Sequence, residues 1–183
     1  MKILENEFAI IGFYVDDINI VGISNELTKT IDYLKKEFEM KNFGRTKFSL
    51  ELHIMYLNKD IFVHQEAYIT KVLKRFYMDK SHLLCTPMVL RLLDVHKDPF
   101  RPLEKDKKLI GPEVPYLSAI GALMYLVNYN RLDITFIVNL LARYSFSLTR
   151  RYWSEIKHIL CYLKGTMNMD LFCRNDSKLY LMD

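Results

Sequence analysis

The chain has 183 residues, of which 50% are hydrophobic, and this apolar content is enough for a folded core and excludes wholesale disorder. Its formal net charge is +4, which is too small an excess for a dedicated nucleic-acid-binding tail. The acids Glu5 and Glu7 interrupt any signal peptide, and the longest uncharged run (Val114 to Asn130) is too short to span a membrane, so we expect an intracellular protein, cytoplasmic or nuclear, without a membrane partner.

Two short apolar runs near the N-terminus predict a β-hairpin. The runs Phe8 to Val15 and Ile18 to Val21 are rich in aromatic and branched residues, and only Asp16 and Asp17 separate them. Apolar residues at helical spacing from Leu27 to Phe38 predict a helix directly after the hairpin. Two adjacent acids are therefore expected at the tip of a turn.

The next segment continues the mixture of strand and helix. Apolar and polar residues alternate from Phe48 to Ile54, which predicts one strand, and Ile61 to Val63 predicts another. Helical spacing from Ile69 to Phe76 predicts a helix that ends near Met78. We therefore interpret residues 1–84 as an α+β domain.

A proline-rich connector and a helical region follow. All five prolines fall within residues 85–115, and because proline lacks a backbone donor, we expect little regular structure there. In residues 116–183, helices are predicted at Tyr116 to Tyr129, which should be central, at Ile134 to Tyr144, and from a Thr149 cap to Gly165. The apolar pair Leu171-Phe172 predicts a strand without an obvious partner.

Asp16 and Asp17 are the residues with the clearest chemical potential. Adjacent carboxylates exposed at a rigid turn suit a hard cation such as Mg²⁺, and paired metal ions can clamp the oxygens of a phosphoryl transfer. The alternative interpretation is ordinary turn chemistry, because Asp tolerates the backbone angles of hairpin turns and bonds locally. The residues alone leave both interpretations open.

The ordered motifs resemble the reverse transcriptase of copia-type LTR retrotransposons. Tyr14-Val15-Asp16-Asp17 between apolar strands resembles the palm hairpin of that family, its Tyr-Val-Asp-Asp motif. The resemblance covers nearly the whole chain through further blocks in the family order: Met40 to Ile54, Ile61 to Gln65, Tyr116 to Ile134 and Tyr162 to Thr166.

This resemblance implies a partial polymerase palm in residues 1–84, followed by a helical thumb- or connection-like lobe in 116–183 that ends before RNase H. It implies that Asp16 and Asp17 are the catalytic and metal-binding residues, that Mg²⁺ is the cofactor, and that an RNA–DNA or DNA primer–template is the partner. In the family, a further metal-binding Asp and the fingers precede the hairpin, but no Asp precedes Tyr14 here. We therefore expect a truncated RNA-directed DNA polymerase domain, with weak or absent Mg²⁺ binding, that is inactive alone.

Some motif positions depart from the family pattern. The family has Gly where this chain has Glu51, Arg-Pro-Asp where it has Arg131-Leu132-Asp133, and Arg where it has Cys161. Together these changes suggest a copy that drifts without selection for polymerisation.

Two alternatives to a polymerase fragment stay open. One is a remnant that binds nucleic acid through its thumb-like lobe, because four basic residues lie on or before one predicted helix: Arg150, Arg151, Lys157 and Lys164. A solvated helix face would also explain these four charges. The other is a fragment that associates with the missing palm and fingers or with a complete polymerase through exposed strand edges.

Overall fold

The computed structural model describes residues 8–57, 60–88, 111, 113–145, 149–169 and 171–173, which form an α+β architecture. The elements in chain order are β1 (Ala9–Tyr14), β2 (Asp17–Gly22), α1 (Ser24–Glu37), β3 (Phe48–Ser49), β4 (Leu52–Leu57), β5 (Asp60–His64), α2 (Glu66–Arg75), α3 (Tyr116–Tyr129), a 3-10 turn (Leu132–Ile134), α4 (Thr135–Arg143), α5 (Arg150–Gly165) and β6 (Leu171–Cys173). Within these residues, no helix has both the length and the apolarity needed to cross a bilayer.

The chain divides into two compact units, Met1–Lys47 and Phe48–Asp183. In the smaller unit, β1 and β2 form the predicted antiparallel hairpin, in register from Ala9 opposite Gly22 to Tyr14 opposite Asp17. The predicted helix after the hairpin is α1, and it packs against both strands. The hairpin prediction is thus confirmed, although Asp17 begins β2 rather than lying in the turn.

The larger unit contains a four-stranded antiparallel sheet in the order β3-β4-β5-β6. The prediction of one strand from Phe48 to Ile54 is wrong, because the chain reverses at Leu50 and Glu51, where φ is 52° and 58°. Apolar and polar residues keep alternating in the sequence through this two-residue turn, so the pattern conceals the reversal, although the pairing of Phe48 with His53 puts Phe48 on the face opposite Leu52 and Ile54. The strand at Leu171–Cys173 does have a partner, since β6 pairs with β5.

Glu51 occupies a backbone conformation that suits glycine, at the position where the resembled family has one. Left-handed backbone costs a non-glycine residue about 1 kcal/mol, whereas the exposed ion pair of Glu51 with Lys71 at 3.0 Å contributes less than about 1 kcal/mol. We therefore expect Glu51→Gly to raise the free energy of unfolding by about 0.5 kcal/mol in urea denaturation. Lys71→Ala is the control for the ion pair. A Glu51→Gly variant less stable than Lys71→Ala would contradict this account.

One hydrophobic core joins α2 to α3, α4 and α5. Leu73 of α2 packs in the same cluster as Leu123 of α3 and Leu160 of α5, and the Phe76 and Trp153 rings meet edge to face at 6.5 Å. The helices predicted in this region are confirmed, and α3 has the predicted bounds. Residues from both sides of the connector therefore share a core, while the domain boundaries 1–84, 85–115 and 116–183 stay predictions. Most of the connector lies outside the described residues.

A buried arginine fastens the end of α3 to the end of α5. Arg131 is 1% exposed, and its Nε and Nη2 donate to the two carboxylate oxygens of Asp133 at 2.9 and 2.7 Å. The same guanidinium donates to the carbonyl and hydroxyl oxygens of Thr166 at 3.2 and 2.7 Å. The Tyr162 hydroxyl donates to Asp133 at 2.7 Å. These bonds satisfy the guanidinium within the fold, which a buried cation requires.

Candidate functional site

Of the two predicted catalytic acids, Asp16 lies in the turn of the β1–β2 hairpin and Asp17 is the first residue of β2. Tyr14 and Asp17 form the last pair of the ladder, so the loop consists of Val15 and Asp16 alone. Val15 has φ of 52° and is 86% exposed. A branched residue in left-handed backbone is strained, and such strain persists where the surroundings fix the turn. The hairpin therefore holds Asp16 and Asp17 at its tip, both exposed to solvent.

The chemistry of this tip suits part of a magnesium site. Ionised carboxylates are the protein ligands that Mg²⁺ prefers, and one or two of them typically act together with phosphate oxygens and water. Among the described residues, no three His, Cys, Asp or Glu side chains come close enough to hold a metal ion together. Asp16 and Asp17 would thus supply only part of a coordination shell.

The same hairpin presents apolar side chains to solvent. Ile10, Phe13 and Val21 are exposed, and Tyr14 next to the turn is exposed as well. A two-stranded hairpin has an unpaired edge on each side, and an exposed apolar edge favours pairing with another segment. These features support the alternative of association with another polypeptide segment.

The predicted basic residues on α5 have different environments. Arg150 and Lys157 are exposed and seven residues apart, which places them on the same side of the helix. Arg151 is partly buried. The ammonium of Lys164 donates to the Ser81 carbonyl oxygen at 2.6 Å and so fastens α5 to the segment after α2. Arg150 and Lys157 therefore form the basic stripe of α5, and Lys164 has a role within the fold.

A groove of about 400 Å³ runs beside this stripe, between α5 and the segment from Met78 to Leu84. Lys157, His158 and Cys161 line it on the helix side, and His82 lines it on the other. The Nε2 atom of His158 lies 3.0 Å from the Thr86 carbonyl oxygen. Sequence reasoning missed this groove because its two histidines are far apart in the chain and show no motif.

The hairpin with its paired acids lies in the part of the chain that matches a known polymerase family. Residues 2–90 match the family described as reverse transcriptase (RNA-dependent DNA polymerase), and similarity to the Pol polyproteins of copia-type retrotransposons covers 92% of the chain, which supports a fragment of a copia-type reverse transcriptase. The sequence resemblance is thereby confirmed.

Particular relatives show how much of a polyprotein the chain represents. It is 35% identical over 172 residues to the retrovirus-related Pol polyprotein from transposon TNT 1-94 of Nicotiana tabacum, covering 92% of this chain and 13% of that protein. It is 30% identical over 169 residues to the Pol polyprotein from transposon RE2 of Arabidopsis thaliana, covering 92% and 11%. An uncharacterized mitochondrial protein of A. thaliana is 29% identical over 167 residues, covering 91% and 65%. No solved structure matches the chain significantly.

Proposed function

We propose that this chain is a palm and thumb portion of an RNA-directed DNA polymerase and that Asp16 and Asp17 are its metal ligands. The observation that carries the proposal is the hairpin tip, where a fully paired ladder and a strained two-residue turn present both carboxylates to solvent. Bound Mg²⁺ would stabilise the charge that develops on the reacting phosphate oxygens. The chain's own contribution is to hold the two carboxylates in fixed positions beside that centre.

We propose further that the remaining metal ligands come from other segments of a Pol polyprotein. The chain spans only 13% of the tobacco relative, so the activity of the whole polyprotein depends on much more sequence. Two adjacent carboxylates fill only part of a two-metal site. Polymerisation by this chain alone is therefore not expected, and its affinity for Mg²⁺ should be weak.

Mn²⁺, a paramagnetic substitute for Mg²⁺, tests the role of the hairpin tip. We expect low concentrations of Mn²⁺ to broaden the amide NMR signals around Asp16, and Asp16→Asn to weaken the effect by at least tenfold, because a charged ligand is lost. Asp32→Asn is a matched control, since Asp32 is exposed on α1 of the same unit. Broadening that survives Asp16→Asn, or that centres elsewhere, would contradict the site. Magnesium-dependent extension of a primed template by the chain alone would contradict the expected inactivity.

The basic stripe of α5 supports binding of a nucleic-acid duplex by the thumb-like region. Arg150 and Lys157 lie exposed on one side of the helix, where they can neutralise phosphates along a backbone. We expect binding of an RNA–DNA duplex to weaken as salt rises, and Arg150→Ala with Lys157→Ala to reduce the slope of that dependence by about two. Lys35→Ala with Lys36→Ala, on α1, is the charge-matched control. A duplex affinity that does not change with salt would contradict this interface and would favour the alternative interpretation, a solvated helix face.

A further inference from the structure

Two histidines meet across the β4–β5 hairpin of the larger unit. They are not part of the candidate site at Asp16 and Asp17. His53 of β4 stands directly opposite His64 of β5 in the antiparallel register. The Nδ1 atom of His53 lies 2.6 Å from the Nε2 atom of His64. Their ring centroids are 4.5 Å apart, and the ring planes meet at 83°. Both side chains are partly exposed, so solvent and dissolved ions can reach them.

The geometry requires one proton between the two nitrogens. At this distance one ring donates a hydrogen and the other accepts it with its lone pair. If the donor ring carries its hydrogen on its other nitrogen instead, both facing nitrogens have a free lone pair, and rotation of the rings can direct the two lone pairs at one transition-metal ion. Imidazole nitrogen suits Cu²⁺, Ni²⁺ and Zn²⁺, whereas Mg²⁺ prefers oxygen.

We infer that His53 and His64 form a two-nitrogen binding site for a divalent transition-metal ion of the Cu²⁺ class. Metal–nitrogen bonds of about 2.0 Å place the two nitrogens about 2.8 Å apart at a right angle and about 3.3 Å apart at a tetrahedral angle. The two nitrogens are 2.6 Å apart in the structure, so they must separate less to fit the right-angled, square-planar arrangement of Cu²⁺ than to fit a tetrahedral one. Cu²⁺ also binds nitrogen ligands more strongly than Ni²⁺ or Zn²⁺ does.

The pairing of β4 with β5 holds the two histidine ligands next to each other before a metal binds. The β4–β5 ladder runs from His53–His64 to Leu57–Asp60, so both backbones are fixed before the metal arrives. No third side chain of metal-binding type joins the pair among the residues that the structure places. Water would complete the shell, and the bound ion would link β4 to β5 and raise the stability of the hairpin.

Electron paramagnetic resonance and calorimetry with Cu²⁺ test this inference on the full chain. We expect one bound Cu²⁺ with the spectral signature of two nitrogen ligands, and at least a tenfold loss of affinity in His53→Gln and in His64→Gln. His82→Gln and His158→Gln are matched controls, because these two histidines line the groove beside α5 instead. Cu²⁺ should raise the Tm of the wild-type chain and of the controls, and leave the Tm of the two β-strand variants unchanged.

A second measurement needs no variant. Substoichiometric Cu²⁺ should selectively broaden the ring NMR signals of His53 and His64 in the wild-type chain, and a chelator should restore them. Equal affinity in His53→Gln and wild type, broadening centred on His82 or His158, or a spectrum with a single nitrogen ligand would each overturn the site. Tighter binding of Zn²⁺ than of Cu²⁺ would overturn the proposed geometry.

Discussion

Arg131→Met should lower the free energy of unfolding by about 3–5 kcal/mol, which is a large part of the stability of a domain this size. The substitution keeps much of the side-chain volume but removes the guanidinium that donates to Asp133 and Thr166. The half-buried Asp133 carboxylate would then lose both hydrogen bonds from the guanidinium while it keeps the one from the Tyr162 hydroxyl, and removing one partner of a buried ion pair is far costlier than replacing both. Urea or thermal unfolding measures the loss.

Two controls separate the network from general effects of arginine loss. Arg143→Met removes an exposed arginine at the end of α4 and should change stability by less than about 0.5 kcal/mol. Tyr162→Phe removes one hydrogen bond to Asp133 and should cost about 1 kcal/mol. A loss below about 1 kcal/mol in Arg131→Met would show that the network contributes little.

The dependence of stability on acid pH is a second measure of the network around Arg131 and Asp133. Burial alone would raise the pKa of Asp133, but hydrogen bonds from Arg131 and Tyr162 and the charge of Arg131 outweigh it and hold the pKa below its usual 3.8. The unfolded carboxyl takes up its proton at a higher pH than the folded one does. The stability that Asp133 contributes is therefore fully present above the unfolded pKa and is lost as the pH falls through the folded pKa. Asp133→Asn should remove this part of the acid dependence.

Local pattern was enough to predict the helices and the hairpin, because their signals lie within one element. The apolar run of α3 and the spacing along α5 each reflect one helix against one core. Pairings between distant segments left no such signal. The partner of β6 is β5, more than one hundred residues earlier, and the turn at Leu50 and Glu51 lacks the glycine that usually marks a hairpin.

The candidate site was partly predictable for the same reason. Asp16 and Asp17 are adjacent in sequence, so their common place at the end of a hairpin needs only local structure. The contact of Lys164 with Ser81 spans 83 residues, so no local pattern indicated that this lysine fastens α5. His53 and His64 meet only because the β4–β5 register sets them opposite each other.

The hydrogen-bond network around Arg131 shows that the family motifs of this chain are of two kinds. The Tyr-Val-Asp-Asp motif exposes its acids, which is expected of residues that contact metal and substrate. In contrast, Arg131 and Asp133 of one motif bind Tyr162 and Thr166 of another, more than twenty residues later. The C-terminal motifs that carry the resemblance therefore have a clear structural role, and they can persist in a chain that does not polymerise.

Leu73→Ala should destabilise both sides of the connector together. Leu73 lies on α2, is 3% exposed, and packs in one cluster with side chains of α3 and α5. Replacing a buried leucine by alanine costs about 2–5 kcal/mol through lost burial and the cavity that remains. Because the core is shared, hydrogen exchange should accelerate in α3 and α5 as well as in α2.

Leu117→Ala is the matched control, because Leu117 is 65% exposed on α3 and its truncation should cost less than about 0.5 kcal/mol. If Leu73→Ala accelerated exchange in α2 alone, residues before and after the connector would unfold independently. That outcome would favour the boundaries predicted at 84/85 and 115/116 as boundaries of separate folding units. Loss of protection in all three helices would instead mean that α2 folds with α3 and α5 as one cooperative body, and that the connector joins two parts of a single core.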